Sequence, residues 1–211
     1  RGTFGQFGPI FLLGHSEGTL IAAQVAQRCS AVAGLILLCP FIQKLEDILL
    51  QQALTIEKNI YDAPGFRGWL LRMVTKIQGR PSVMQNGLIK RIQSGDSPVI
   101  RFWWRKIEAK GLRELMNIDP KQVYAGVQVP AILLAGEKDL QCDPDDAVRI
   151  AALLGDKASL HVEKNLTHIL RKDFKQANMF SYDRLLKSPV DASVADCVLA
   201  WLEKQSCLER V

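Results

Sequence analysis

At 211 residues, with 48% hydrophobic and 23% charged side chains, the sequence is long enough to bury a sizeable core and has the balance of a globular protein rather than a disordered one. No apolar run approaches the ~18 residues of a membrane-spanning helix. The formal net charge of +5 comes without any recognised nucleic-acid motif, so nucleic acid is not an expected partner.

The charge is unevenly placed. Glu57 to Pro120 carries twelve Lys or Arg against six Asp or Glu. Such a basic middle reads as the solvated face of helices, with attraction to an anionic substrate or a membrane surface as the sharper alternative. Five cysteines (Cys29, Cys39, Cys142, Cys197, Cys207) are odd in number and lack Cys-x-x-Cys spacing. They read as buried or incidental thiols of a reducing, cytoplasmic setting, not as a disulfide framework or a zinc site. The chain begins at Arg1 rather than methionine, so the absence of a visible signal peptide excludes nothing.

In chain order, Arg1 to Gly8 is glycine-rich and reads as a loop. Pro9 to Leu13 is an almost wholly apolar strand, as a strand covered on both faces would be. Glu17 to Arg28 has a helical period, with Gly18, Ala22 and Ala26 forming a small-residue stripe that lets a helix lie close to a sheet. Ala33 to Cys39 is a second buried strand, closed by Pro40. Strand, helix and strand within about thirty residues make a βαβ unit with a parallel pair. From Gln43 the period is helical to about Leu115, broken at Pro64-Gly65, Gly79-Arg80-Pro81 and Gly95 to Pro98. No strand alternation is evident there, and Phe102, Trp103 and Trp104 form an aromatic cluster. The sheet resumes with Val129 to Ala135. Asp143-Pro144 then caps and opens a helix that Gly155 ends. Ser159 to Glu163 is a half-exposed strand. After Pro189 a final amphipathic helix buries Val190, Val194, Cys197, Val198, Trp201 and Leu202.

The stretch Gly14-His15-Ser16-Glu17-Gly18 sits where the first strand meets the helix. Gly-x-Ser-x-Gly in that setting is a nucleophile elbow, a sharp turn that presents the serine hydroxyl, with the glycines placed where side chains would crowd it. A serine hydroxyl is a poor nucleophile without a base, and the base needs a third group to orient it. Catalytic groups in open α/β sheets gather at the carboxyl ends of the strands. Asp139, just past the third sheet strand, is the acid candidate, with Glu137 as its rival; Asp143, Asp145 and Asp146 have a sufficient role at a helix N-terminus. Among the three histidines, His168 follows the last strand in a loop and is the base candidate. His161 lies within a strand, and His15 is held on the backbone beside the serine.

Together, Gly14-His15-Ser16-Glu17-Gly18-Thr19, Gly136-Glu137-Lys138-Asp139-Leu140-Gln141 and Leu166-Thr167-His168-Ile169-Leu170 resemble the α/β-hydrolase superfamily, and within it bacterial serine hydrolases of the esterase and serine-aminopeptidase-like group. The resemblance implies an α/β fold: the C-terminal part of a parallel sheet flanked by helices, core at residues 1–42 and 116–211, with a helical cap insertion at 43–115. It also implies Ser16 as nucleophile, Asp139 as acid, His168 as base, the Glu17 backbone N–H as an oxyanion donor, a small-molecule ester or amide substrate, and no metal or organic cofactor. Complete members carry several strands before the elbow and a second oxyanion donor on an early loop. Only fifteen residues precede Ser16. The expectation is therefore a chain lacking N-terminal strands, half of its oxyanion hole and a partner for its first strand, and on its own inactive. Two other functions stay open: an amide- or peptide-cleaving enzyme of the same fold, and a non-catalytic remnant that binds a ligand or partner.

Overall fold

The computed structural model describes residues 8–102 and 105–208. The chain divides into two compact units, residues 1–42 with 120–211, and residues 43–119.

The first unit holds β1 (Ile10–His15), α1 (Glu17–Arg28), β2 (Val32–Leu38), α6 (Pro120–Ala125), β5 (Ala131–Gly136), α7 (Pro144–Leu154), β6 (Ala158–Glu163), α8 (Tyr182–Leu185) and α9 (Ala192–Leu208). Its sheet has the order β1-β2-β5-β6, and every neighbouring pair is parallel. The two central strands read as unbroken apolar runs because both of their faces are covered. Ile36, Leu38, Ile132 and Leu134 pack with Val194 and Trp201 of α9. The alternate residues Leu35, Leu37 and Leu133 point to the other face, where α1 and α7 lie against the sheet.

Three expectations change here. The first strand is an edge strand among the described residues, as expected, but its Leu13 is 58% exposed rather than covered. The buried face of α1 is Thr19, Leu20, Ala22 and Ala23, not a Gly18-Ala22-Ala26 stripe. Val190 precedes α9 and is exposed, because Asp191 starts that helix by accepting a hydrogen bond from the Ser193 N–H at 3.1 Å.

The second unit holds α2 (Leu45–Asp62), α3 (Gly65–Gln78), α4 (Pro81–Ser94), β3 (Val99–Phe102), β4 (Arg105–Glu108) and α5 (Ala109–Met116). Its core is Ile89, Ile92, Ile100, Ala109 and Met116. The buried Glu57 carboxylate of α2 ties the start of α4, accepting from Arg80 Nε at 2.7 Å and Ser82 Oγ at 2.6 Å. The helical breaks at Pro64-Gly65 and Gly79-Pro81 fall between these helices. An antiparallel hairpin, with Ile100 opposite Ile107, stands where only helix is expected. Each of its strands is four residues long, too short for a period of two to stand out. Trp103 and Trp104 lie outside the described residues, as does most of the Arg1–Gly8 loop. No helix among the described residues is long and apolar enough to cross a membrane.

Candidate active site

The elbow is built from local sterics and one long-range tether. Ser16 sits between β1 and α1 at φ 54°, ψ −120°, a conformation that costs a non-glycine residue about 1–3 kcal/mol and so has to be held. The Ser16 N–H donates to Leu38 O at 2.9 Å, and Ser16 O accepts from the Thr19 N–H at 3.0 Å and from Thr19 Oγ1 at 2.5 Å. A carbonyl only accepts, so the Thr19 hydrogen points at Ser16 O. The hydroxyl oxygen of Thr19 then accepts from Tyr124 of α6, 2.9 Å away. Both side chains are fully buried. Gly14 has no alternative: a Cβ there would lie 2.2 Å from Gly18 O. Gly18 differs, since a Cβ on it would meet nothing within 4 Å. The crowding is on the strand side of the serine only.

The loop carrying Asp139 leaves β5 through Gly136, where a Cβ would lie 2.4 Å from Leu166 O. That close approach brings the Asp139 loop against the His168 loop, and Lys138 N–H donates to Leu166 O at 2.9 Å. Asp139 is buried and fully satisfied. Its Oδ1 accepts from the N–H groups of Gln141 (2.8 Å) and Cys142 (2.9 Å), and its Oδ2 accepts from His168 Nδ1 at 2.8 Å. Glu137, the rival acid, is exposed and accepts instead from the Asn165 N–H at 2.9 Å. Asp143 caps α7 by accepting from the Asp145 N–H.

His168 is buried in a tight loop in which Asn165 and Leu170 both have φ 60°. With Nδ1–H given to Asp139, its Nε2 keeps the lone pair of the neutral ring. His15 touches the His168 loop: its Nε2–H donates to His168 O at 2.8 Å. Burial lowers the pKa of His15 below its ordinary 6.5. His161 stays within β6 and bonds Glu163 Oε2 at 2.8 Å.

Two of the cysteines that read as buried or incidental thiols converge here, and both are buried. Cys39 follows β2 at φ 50°, and its thiol donates to His168 O at 3.8 Å. Cys142 lies between the groups of interest: its thiol is beside the Ser16 hydroxyl, and its sulfur, an Asp139 oxygen and a His168 nitrogen all lie within 4.8 Å of one another. Burial, and then the Asp139 carboxylate, push both thiols far up in pKa. Cys142 follows Asp139 by three residues, which was the only available signal. Among the described residues, no hydrogen bond joins Ser16 to the His168 ring; such contacts are often loose before substrate binds. His15, Cys39 and His168 also bring donor atoms within 4.8 Å of one another. His168 Nδ1, one of the ring nitrogens, is given to Asp139. A cavity of about 210 Å³ beside β6 and α9, lined by residues including His161, Cys197 and Trp201, contains none of the candidate residues.

The family model for serine aminopeptidase, S33, matches residues 3–174. The chain belongs to this hydrolase family, within the α/β-hydrolase superfamily. Esterase EstD of Thermotoga maritima is 20% identical over 197 residues, covering 92% of this chain and 43% of that protein. The chain thus spans less than half the length of this curated relative. Among solved structures, DcsB in complex with its substrate analogue matches with a TM-score of 0.52 and 15% identity, over 93% of this chain and 64% of that one. BpoC of Mycobacterium tuberculosis H37Rv matches with a TM-score of 0.50 and 12% identity, over 93% and 68%. At such identities the structural likeness speaks for the fold alone. The parallel sheet flanked by helices is that of the S33 hydrolases.

Proposed function

We propose that this S33-family chain carries the nucleophile, base and acid of a serine hydrolase that cleaves carboxylic esters through an acyl-enzyme. The observation that carries the reading is the buried 2.8 Å His168–Asp139 bond on the sheet edge where the strained Ser16 turn also ends. Ser16 Oγ attacks the substrate carbonyl carbon while His168 Nε2 takes its proton. Asp139 holds the ring tautomer and stabilises the imidazolium. His168 then protonates the leaving alkoxide, and water, deprotonated by the same ring, releases the acid and restores the Ser16 hydroxyl. The Glu17 backbone N–H, at the positive end of the twelve-residue α1, donates to the oxyanion. Nothing in this scheme is routed through a metal or cofactor.

An amide substrate is the second reading, favoured by the family description itself. The test is hydrolysis of short p-nitrophenyl esters beside aminoacyl p-nitroanilides, with fluorophosphonate labelling of the serine. Ser16→Ala should abolish labelling and reduce turnover by about 10⁴-fold or more. Undiminished turnover in that variant overturns the assignment. Preference for the anilide moves the reading to the amide substrate.

A further inference from the structure

Helix α3 is turned inside out relative to an ordinary surface helix. Phe66, Trp69, Leu70, Met73, Val74 and Ile77 recur at i, i+3, i+4, i+7, i+8 and i+11, one continuous stripe about 140° wide at 100° per residue. An apolar stripe of that kind normally faces a core. Here all six are exposed, Phe66 at 76% and Ile77 at 81%. The helix packs on its own unit with the opposite side instead, burying Gly68 and Thr75 and half-burying Leu71 and Arg72. That side is tied to the end of α2 and the residue after it: Arg72 donates to Tyr61 O and Ala63 O at 3.1 and 2.9 Å. The outward stripe is therefore a stable feature of the unit. Phe66 and Trp69 stack at 5.5 Å between ring centroids and make one end of it a flat aromatic plate.

The charge around the stripe identifies what fits it. Between Asp62 and Asp96 the chain has no acidic residue and six basic ones: Arg67, Arg72, Lys76, Arg80, Lys90 and Arg91. On the helical wheel Arg67 falls about 20° outside Val74, and Lys76 about 20° outside Trp69, so a cation borders each margin of the stripe. Both are exposed. Apolar and aromatic residues on one face with long cations at its margins are what an interfacial helix needs. The apolar face enters the headgroup–acyl boundary while the cations reach back to lipid phosphates.

We infer that α3 docks the protein on the surface of an anionic phospholipid bilayer, lying in the plane of the interface without spanning it. A protein partner or a second copy would also cover apolar area, but neither calls for an acid-free stretch bordered by cations. The docking needs no turnover, and its test is independent of the hydrolase reading. Full-length protein is sedimented with phosphatidylglycerol-containing vesicles and with pure phosphatidylcholine vesicles, at low and high salt. Binding should favour the anionic vesicles and weaken with salt. Phe66→Ser with Ile77→Ser should lower partitioning by roughly tenfold or more, given how much apolar area these side chains remove from water. Arg67→Glu with Lys76→Glu should erase the anionic preference. Circular dichroism checks that these surface variants keep their fold. On the unsubstituted chain, brominated acyl chains should quench a portion of the tryptophan emission that Trp69→Phe removes. The inference is overturned if the protein stays off anionic vesicles at low salt, if the double serine variant partitions like the parent, or if quenching is unchanged in Trp69→Phe. It is equally overturned if light scattering finds a dimer that Phe66→Ser with Ile77→Ser disperses, with no vesicle binding.

Discussion

The hydroxyl chain from Tyr124 through Thr19 to Ser16 O makes a quantitative prediction about what holds the elbow in its strained turn. Thr19→Val replaces a hydroxyl by a methyl of nearly the same size, so it removes polar contacts without opening a cavity. It loses the bond to Ser16 O, a net of about 1 kcal/mol, and leaves the fully buried Tyr124 hydroxyl without its acceptor, a further 1–3 kcal/mol or so. Burial pushes the Tyr124 ionisation far up, so that hydroxyl remains a donor throughout the working pH range. Tyr124→Phe is milder, because Thr19 keeps its bond to Ser16 O; about 1 kcal/mol is expected. In the double variant no polar group is orphaned, so its cost should be about 1–2 kcal/mol, well below the sum of the single costs. A coupling energy of about 1–3 kcal/mol follows. Urea unfolding of the four proteins measures it, with a constant denaturant slope as the condition for comparing them. Esterase kinetics on the same proteins should show kcat falling more in Thr19→Val than in Tyr124→Phe, since only the former releases Ser16 O. Strict additivity, or a Thr19→Val cost no larger than that of Tyr124→Phe, refutes the reasoning.

Other perturbations test separate parts of the site. Gly14→Ala puts a Cβ 2.2 Å from Gly18 O, 2.4 Å from Gly18 C and 2.6 Å from Thr19 N, all backbone atoms, so a stability loss above about 4 kcal/mol is expected by thermal or urea unfolding. A loss under about 1 kcal/mol would mean that the elbow is looser than described. Asp139→Asn can keep both backbone N–H bonds at Oδ1 but offers an amide where His168 Nδ1–H needs an acceptor. Turnover should fall by about 10³–10⁴-fold with little change in unfolding, and an unaffected kcat would remove Asp139 from the reaction. His15 has its folded pKa lowered, chiefly by burial, so the unfolded chain binds more protons between the folded pKa and 6.5. Its stabilising contribution is therefore complete above pH 6.5 and is lost as pH falls through the folded pKa. His15→Gln should flatten unfolding stability over that acid window, and an unchanged pH profile would contradict it.

What was legible in the sequence depended on how local each determinant is. Helices α1 and α7 begin and end where their own residues say: Asp143 and Pro144 cap the start of α7, and Gly155 takes φ 59° at its end, a conformation glycine adopts without cost. The breaks between α2, α3 and α4 are likewise set by Pro and Gly in the chain itself. The hairpin of β3 and β4 was not legible, because Ile100 and Ile107 acquire meaning only as a cross-strand pair. The buried face of α1 differs from its sequence pattern for the same reason. Sequence spacing favours Gly18, Ala22 and Ala26, whereas Thr19 is chosen by a tyrosine 105 residues away.

The site divides along the same line. Parallel strands carry the ends of β1, β5 and β6 to one edge of the sheet, so the candidates Ser16, Asp139 and His168 are legible as positions just past strands. The groups around them were not. Cys142, beside the Ser16 hydroxyl, and His15 and Cys39, both on the His168 carbonyl, are set by how the loops after β1, β2, β5 and β6 pack together. That packing depends on Gly136, where the Leu166 backbone occupies the space of a side chain. Strand order thus selects which residues meet, and loop contact sets the distance at which they do. The same division explains α3. Its apolar period is plain in the sequence and alone predicts a buried face. Only the contacts of Gly68 and Arg72 with Tyr61 and Ala63 reveal that the helix is anchored by its other side.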